Sequence, residues 1–479
     1  MDKMKKLLAL LLCLAMVCGL VAGCSQNDAG TTDGTPAETT AQAGTPAETE
    51  TPEEDTIVIM APPVTGNYVS NLKTWAADFQ EMYPHLTIEI IETSWGDHMS
   101  KLSTMAQAGE APDITEVTSS AVATYVDMGV AIDISQYMDA ERLADYDENA
   151  IAYMSLEGVP YGLPLYLTIQ ALGANKTLME ELGIDVAKIQ QEGWSLDEFM
   201  DVIATGTEGD RFGFVFANAG VCTSDLVKIY GAGFGLDNYF TEDLKYTYTS
   251  ENMLLLLQSV EEMIAAGYMP NYGVEAGQRM VMCQTGNGMI FGKAMPLFES
   301  NFKTNNAALE ANDGTAVENS LPMDYAFLPV PTMEGGTEAC YGQVDGLIAL
   351  RNNNTTDEHL KNVMLFMDYI CSGDRIAACM NELYLDPVCQ SGRDALTVEE
   401  GRDQANLDTT ARLIALVNAP PAGVTAEMNA TAETMLNEHI VPKVQSLLAG
   451  EMSAQEVYDY IVEAAHSEFG AENCVSGKI

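Results

Sequence analysis

Hydrophobic and polar positions divide the chain into three regimes. Residues 7–20 are almost entirely apolar behind Lys3, Lys5 and Lys6, whereas residues 25–55 hold Gly, Thr, Ala, Pro, Ser, Asp and Glu and little else. From Ile57 onward periodic patterns begin. TIVIM reads as a short buried strand, and Val69, Leu72, Trp75, Ala76, Phe79 and Met82 then recur at helical spacing. In HLTIEIIET, Leu86, Ile88 and Ile90 alternate as a strand does. DHMSKLSTMAQAGEAPDITEV gives a helix stopped at Gly109 and a strand starting near Asp113. Alternation of strand and helix over residues 56–117 predicts an α/β fold with a parallel sheet covered on both faces. Ser195 with Glu198, and Ser453 with Glu456, have the spacing of a capping box and mark two helix starts. The second of these helices places Val457, Ile461, Ala464 and Ala465 on one face, which predicts core.

The first two regimes carry an address. A basic start followed by an apolar run too short to cross a bilayer predicts a signal peptide over residues 1–23. Val21-Ala22-Gly23-Cys24 resembles the bacterial lipobox, in which the cysteine becomes the lipidated first residue. Two or more fatty chains on Cys24 would hold a soluble domain at a membrane surface, each buried CH2 contributing about 0.8 kcal/mol. Behind it, residues 24–55 bury nothing that offsets their ordering entropy and are expected to be a disordered linker reaching roughly 30 Å. GTPAET occurs in it twice, at Gly34 and Gly44.

Composition narrows the function classes. The chain has 479 residues, 47% of them hydrophobic, enough for two or more folded units. Its formal net charge of -48 excludes nucleic acid as a partner and disfavours anionic ligands arriving by steering. Of ten cysteines, Cys13 and Cys18 leave with the signal peptide and Cys24 is the lipid site. Cys222, Cys283, Cys340, Cys371, Cys379, Cys389 and Cys474 remain, an odd set without a CxxC that leaves room for one or two disulfides.

Catalytic templates find little to hold. The five histidines form no HExxH and no zinc spacing with cysteine, so no metal and no cofactor is expected. There is no G-x-S-x-G elbow. Residues 287–294 approach a P-loop but carry Asn287 at the first glycine position and Ala294 where a magnesium-binding hydroxyl is needed, and read as turn and strand. GAGFG at Gly231, Gly233 and Gly235 lacks the rest of a dinucleotide fingerprint and reads as a loop between helices.

FQEMYPHLTIEII, Trp95, KLSTMAQAGEAPDI and GVPYGLPLY, followed in order by ANKTLMEELGID, GWSLDEF and LPVPTMEGG, resemble the extracellular solute-binding proteins of ABC transporters, the maltose-binding-protein-like family. The resemblance implies a two-lobed, periplasmic-binding-protein-like (type II) fold whose chain crosses a hinge several times. The crossings are expected near residues 165–168, 330–332 and 387–391. Lobe one would hold residues 56–164 plus 333–386, and lobe two 167–329 plus 392–479. It further implies no enzyme activity, a monomer that captures a small solute by hinge closure, and ABC permease subunits as partners at the outer face of the membrane. A carbohydrate is the expected solute; another small polar solute, or a sensory role, stays open, and a lipid-anchored hydrolase is the reading from a different class.

Ligand contacts are expected beyond the carboxyl ends of strands. Asn67 and Tyr68 follow the first strand, Trp95 the second, and Glu116, Thr118, Ser119 and Ser120 close the third. Tyr166 lies at the first crossing, MPLFES presents Phe298 and Glu299, and YGQVDG presents Tyr341, Gln343 and Asp345. Rings suit the apolar faces of sugar units, and carboxylates and amides suit their hydroxyls. Trp75 and Trp194 are expected to pack. Three places where maltose-binding protein sets aromatic residues carry Val117, Met295 and the aromatic-free NAGVC over residues 218–222.

Overall fold

The computed structural model describes residues 53–219, 222–397, 401–421 and 423–479. The signal peptide, Cys24 and the linker up to residue 52 lie outside the described residues. TIVIM forms β1 (Asp55–Ala61), which pairs in parallel with β2 (Leu86–Glu92) and β3 (Ile114–Thr118). The helix Tyr68–Met82 buries Tyr68, Leu72, Ala76 and Phe79. Its stripe is turned slightly from the expected one, so Trp75 is only partly buried and meets Tyr68 edge-on at 6.2 Å. The helix His98–Ala108 ends where Gly109 takes the left-handed conformation at φ 74°.

After the two-stranded hairpin of β4 (Ser155–Leu156) and β5 (Val159–Pro160), the chain enters β6 (Gly162–Asn175), fourteen residues long. The first half of β6 pairs with β10 (Tyr341–Ala349), which in turn pairs with β3. Its second half pairs with β8 (Gly288–Ala294) and β9 (Tyr325–Leu328), and β7 (Phe212–Val215) closes the far edge on β8. The order β2-β1-β3-β10-β6-β8-β7 thus makes one continuous ladder, and β6 and β10 are the strands that carry it from one lobe to the other. Gly346 lets them approach: a Cβ there would stand 2.7 Å from the Leu163 carbonyl.

Hydrophobic packing divides along the same line. Ile57, Ile59, Leu72, Phe79, Leu163, Leu347, Phe366 and Met380 share one core, built on β1, β6 and β10 and the helices Asp357–Ile370 and Gly373–Leu383. Met60, Leu102, Val117, Tyr125 and Ile348 fill the other face of that lobe. A separate core joins Phe199, Phe214, Tyr230, Leu256, Leu328, Val444 and Ile461 in the second lobe. Both capping boxes form, at Ser195–Glu198 and Ser453–Glu456. Trp194 packs on Phe199 and donates its indole N–H to the Pro329 carbonyl at 3.0 Å, beside the expected second crossing. GAGFG, expected as a loop, contributes a short 3-10 turn, Ala232–Phe234, and a Cβ on Gly233 would strike the Pro331 carbonyl. Residues 287–294 form turn and strand. All seven described cysteines are free, and burial pushes the Cys340 and Cys379 thiols up to about 12, which keeps them uncharged.

The first strand is pinned where the described chain begins. His359 sits between two carboxylates, its Nδ1 2.9 Å from Asp55 and its Nε2 3.0 Å from Asp113. Asn362 and Asn352 hold the same two carboxylates. The Asp113 hydrogen bond, opposed by burial and helped by Asp55, raises the imidazole from 6.5 to about 9. The folded state therefore binds this proton more tightly than the unfolded chain. The stabilisation is complete below about pH 6.5 and is lost as pH rises through about 9. His359→Gln is expected to lower Tm by about 2–4 °C at pH 6, the effect of roughly 1 kcal/mol in a domain of this order. At pH 10 it should change Tm far less; thermal unfolding followed by circular dichroism at the two pH values checks this.

Candidate functional site

Where the two lobes face each other they enclose a cavity of about 410 Å3. The first lobe contributes Ser119 and Ser120, at the start of the helix Ser119–Asp127 that follows β3, and Tyr153 just before the β4–β5 hairpin. Tyr341 and Gln343 of β10 line it from the crossing strand and bond to each other at 3.1 Å. The second lobe contributes Lys228, Asp237, Tyr239, Tyr248 and Glu433. Residues 418–421 and 423–424 belong to a proline-containing loop beside them, from which Asn418, Pro420, Pro421 and Val424 line the space.

The polar groups of the second lobe arrive already paired. Lys228 lies in the π-helical turn Leu226–Tyr230, which takes its side chain out of regular helical register. Its Nζ is 2.9 Å from Glu433 Oε1, the oxygen that also accepts from the Tyr239 hydroxyl at 2.8 Å. Burial acts to lower the ammonium of Lys228, but the Glu433 carboxylate bonded to it and the Asp225 charge reverse this and raise it, so it stays charged. Burial likewise raises the Tyr239 and Tyr341 phenols, which remain neutral donors. Around this pair stand Tyr153, Tyr239, Phe240, Tyr248 and Tyr341, five aromatic rings. Tyr239 and Tyr248 meet edge to face at 5.4 Å.

Among the described residues, two hydrogen bonds cross the cleft at the cavity. The Tyr153 hydroxyl donates to the Asn418 carbonyl at 2.8 Å, and Asn418 is held to the second lobe by its amide on Asp237, also at 2.8 Å. The Asn429 amide, on the helix Ala426–Thr434, donates to the Ser120 carbonyl at 3.3 Å.

Of the residues expected to contact ligand, Ser119, Ser120, Tyr341 and Gln343 line the cavity, and Thr118 stands just behind it with its hydroxyl 3.1 Å from that of Ser120. Glu116, Tyr166 and Asp345 form a buried group below it, in which Tyr166 donates to Glu116 at 3.1 Å. Tyr68 is 2% exposed, inside the first-lobe core, because it takes the first buried position of its helix. Asn67 and Trp95 lie on the loops after β1 and β2, away from the cavity lining. The Asn67 backbone N–H donates to Glu382, and Trp95, 49% exposed, donates to the Pro63 carbonyl. Phe298 joins the core around Phe291 and Phe302. Glu299 is buried and consumed by Lys303, the Asp403 N–H and the Asn406 amide. Tyr153, Lys228, Tyr239, Tyr248, Asn418 and Glu433 were not expected. The crowding of aromatic residues over 239–248 was a visible signal for two of them, while the Lys228–Glu433 pair joins positions with no local relation. No group of three His, Cys, Asp or Glu able to hold a metal occurs among the described residues.

A two-lobed α/β molecule with a ring-lined cleft closed by contacts from both sides is built for holding a small molecule. The family model of the bacterial extracellular solute-binding proteins matches residues 64–372, and the chain belongs to that family. A Brucella abortus (strain 2308) protein carrying a binding-protein name is 23% identical over 330 residues, covering 67% of this chain and 72% of that one. Among solved structures, an ABC substrate-binding protein of Listeria monocytogenes in complex with cycloalternan aligns with a TM-score of 0.64 at 14% identity, over 87% of this chain and 100% of that one. The GacH receptor of Streptomyces glaucescens, solved unliganded and with acarbose, aligns at 0.67 and 16% identity, over 86% and 98%. Maltose-bound MalE3 of T. maritima aligns at 0.64 and 17%, over 86% and 98%.

The cross-cleft bonds give a test of closure. A neutral hydrogen bond contributes about 1 kcal/mol net, so removing each should lower the closed-to-open ratio roughly fivefold. The double variant Tyr153→Phe, Asn429→Ala is expected to show a larger radius of gyration in small-angle scattering than wild type. Identical scattering would mean that these bonds do not hold the lobes together.

Proposed function

We propose that this protein is a lipid-anchored receptor that captures an extracellular carbohydrate between its lobes and delivers it to an ABC permease. The observation that carries the reading is the cavity itself: five rings surround a charge-neutral Lys228–Glu433 pair, with Ser119, Gln343 and Asp237 as further hydrogen-bonding groups. Rings cover the apolar faces of sugar units, and the paired polar groups offer donors and acceptors to hydroxyls without demanding a net charge. The sugars named with the Listeria, Streptomyces and Thermotoga structures support the same ligand class. The lobes are assigned as residues 56–164 plus 333–386 and 167–329 plus 392–479, and the protein acts as a monomer without cofactor. Anchoring rests on Cys24 behind its apolar run, and the linker behind Cys24 gives the receptor reach. No helix among the described residues is long and apolar enough to cross a membrane.

Calorimetry of the mature chain against maltooligosaccharides, cyclic glucans, amino acids and short peptides tests the reading. One of the sugars should bind, raise Tm and be recovered unchanged. Binding of an amino acid or peptide instead would move the reading to another polar solute, and turnover of the ligand would overturn it. For the sugar that binds, Glu433→Gln should weaken affinity about tenfold, or about 1.4 kcal/mol, by unpairing Lys228 and Tyr239.

A further inference from the structure

Directly below the cavity lies a cluster that ligand contact does not account for. Tyr341, Gln343 and Asp345 alternate along one face of β10; the first two line the cavity, and Asp345 is the next step inward. In register, Asp345 stands opposite Thr118 of β3 and Tyr166 of β6, where the β6–β10 ladder shifts because Leu165 is an extra residue on β6. Glu116 of β3 reaches the same place. It is 1% exposed, its Oε1 accepts from the Tyr166 hydroxyl, and its Oε2 is buried without a hydrogen-bond partner. Asp345 is 8% exposed and accepts from the Thr168 hydroxyl at 3.2 Å.

The surroundings contain no countercharge. Tyr68 faces Glu116 from the helix Tyr68–Met82, and Cys371 and Cys379 lie beside them from the two helices that pack there. Tyr166 faces both carboxylates from β6, and Tyr341 faces Asp345 along β10. His98 meets the Glu116 backbone carbonyl, at 2.8 Å, and the Thr93 and Thr115 hydroxyls, and burial lowers its imidazole toward the neutral form. Neither carboxylate has a salt-bridge partner among the described residues. Two adjacent carboxylates buried without a cation cannot both ionise at an ordinary cost.

We propose that Glu116 and Asp345 hold one proton between them, and that this buried proton allows β3, β10 and β6 to pack together beneath the solute cleft. Glu116 Oε2 is the buried oxygen free to carry it, since Oε1 accepts from Tyr166 and Oε2 has no partner; on Asp345, Thr168 takes Oδ2. Burial, then the Asp345 charge, raises Glu116 well above the usual carboxylate range, and burial raises Asp345 to about 7. Both values lie above those of the unfolded chain, so folding takes up the proton. Stability from the pair is greatest below about pH 4 and is lost as pH rises through about 7. The pair therefore contributes more to stability in acidic than in alkaline surroundings, whatever the solute.

The test needs no ligand, so its failure is separable from failure of the carbohydrate reading. Melting of the mature wild-type chain, Glu116→Gln and Asp345→Asn is measured in the same buffers at pH 5 and pH 8, which cancels the contribution of His359. The glutamine variant, neutral at every pH, should gain on wild type between pH 5 and pH 8 by about tenfold in the unfolding constant. Infrared spectra at pH 6.5 should show the carbonyl stretch of a protonated buried carboxyl group in wild type and its loss in Glu116→Gln. If that variant does not fold, Asp345→Asn carries the same melting comparison, and loss of the wild-type infrared band on titration from pH 6.5 to pH 9 replaces the spectral one. Variants that run parallel to wild type between the two pH values, or a wild-type spectrum without the band, overturn the proposal.

Discussion

The pairing of β6 with β10 is the constraint on which the remainder of the molecule depends. Both strands must satisfy their backbone groups along their length, since an unpaired buried N–H or C=O costs as much as a lost hydrogen bond. β6 meets β10 in its first half and β8 and β9 in its second, so one strand enters the hydrogen-bond ladders of both lobes. The cores on either side can then shift relative to each other only by bending these strands. The bulge at Leu165 of β6, opposite Asp345 and Gly346 and with a glycine where a side chain would strike Leu163, supplies a place at which bending meets little resistance.

That mechanical arrangement also sets the chemistry of the cleft. Tyr341 and Gln343 stay in place whichever way the lobes move, because they belong to the crossing strand itself. Serines from the first lobe and the Lys228–Tyr239–Glu433 group from the second approach them from opposite sides. In the proposed reading a solute in the cavity would touch groups of both lobes at once, which is how binding energy would be converted into a shift between open and closed populations. Hydrogen bonds such as that of Tyr153 to Asn418 add a contribution to closure that belongs to the protein alone.

Periodicity made the local elements legible. The strand at TIVIM, the helix stop at Gly109, the strand near Asp113 and both capping boxes follow from a few adjacent residues, and they stand where the pattern puts them. The two-lobed class was legible only through the ordered resemblance, because β10 reaches β3 across more than two hundred residues and no local pattern encodes that pairing. The same reason separates Ser119, Tyr341 and Gln343, which line the cavity, from Tyr68 and Phe298. A ring after a strand reads alike whether the following helix turns it to the cleft or to the core, and the single-residue offset of the stripe in Tyr68–Met82 decided the matter for Tyr68. Lys228 and Glu433 were invisible in sequence because each gains its meaning from a partner two hundred positions away.

The positions that depart from the maltose-binding pattern show that a ring-lined site constrains a volume and not particular positions. Val117 is a core residue of the first lobe and Met295 packs at the edge of another core, so neither lines the cavity. The rings come from elsewhere: Tyr153 ahead of the β4–β5 hairpin, Tyr239, Phe240 and Tyr248 from the segment before a long helix, and Tyr341 from the crossing strand. An aromatic wall can be supplied by any segment that borders the cavity, provided its polar edge finds a partner. Here Glu433 serves Tyr239, Gln343 serves Tyr341 and the Asn418 carbonyl serves Tyr153. Those partners orient the rings without adding net charge, which is the condition for a strongly acidic protein to offer an uncharged solute a site that its overall field neither attracts nor repels.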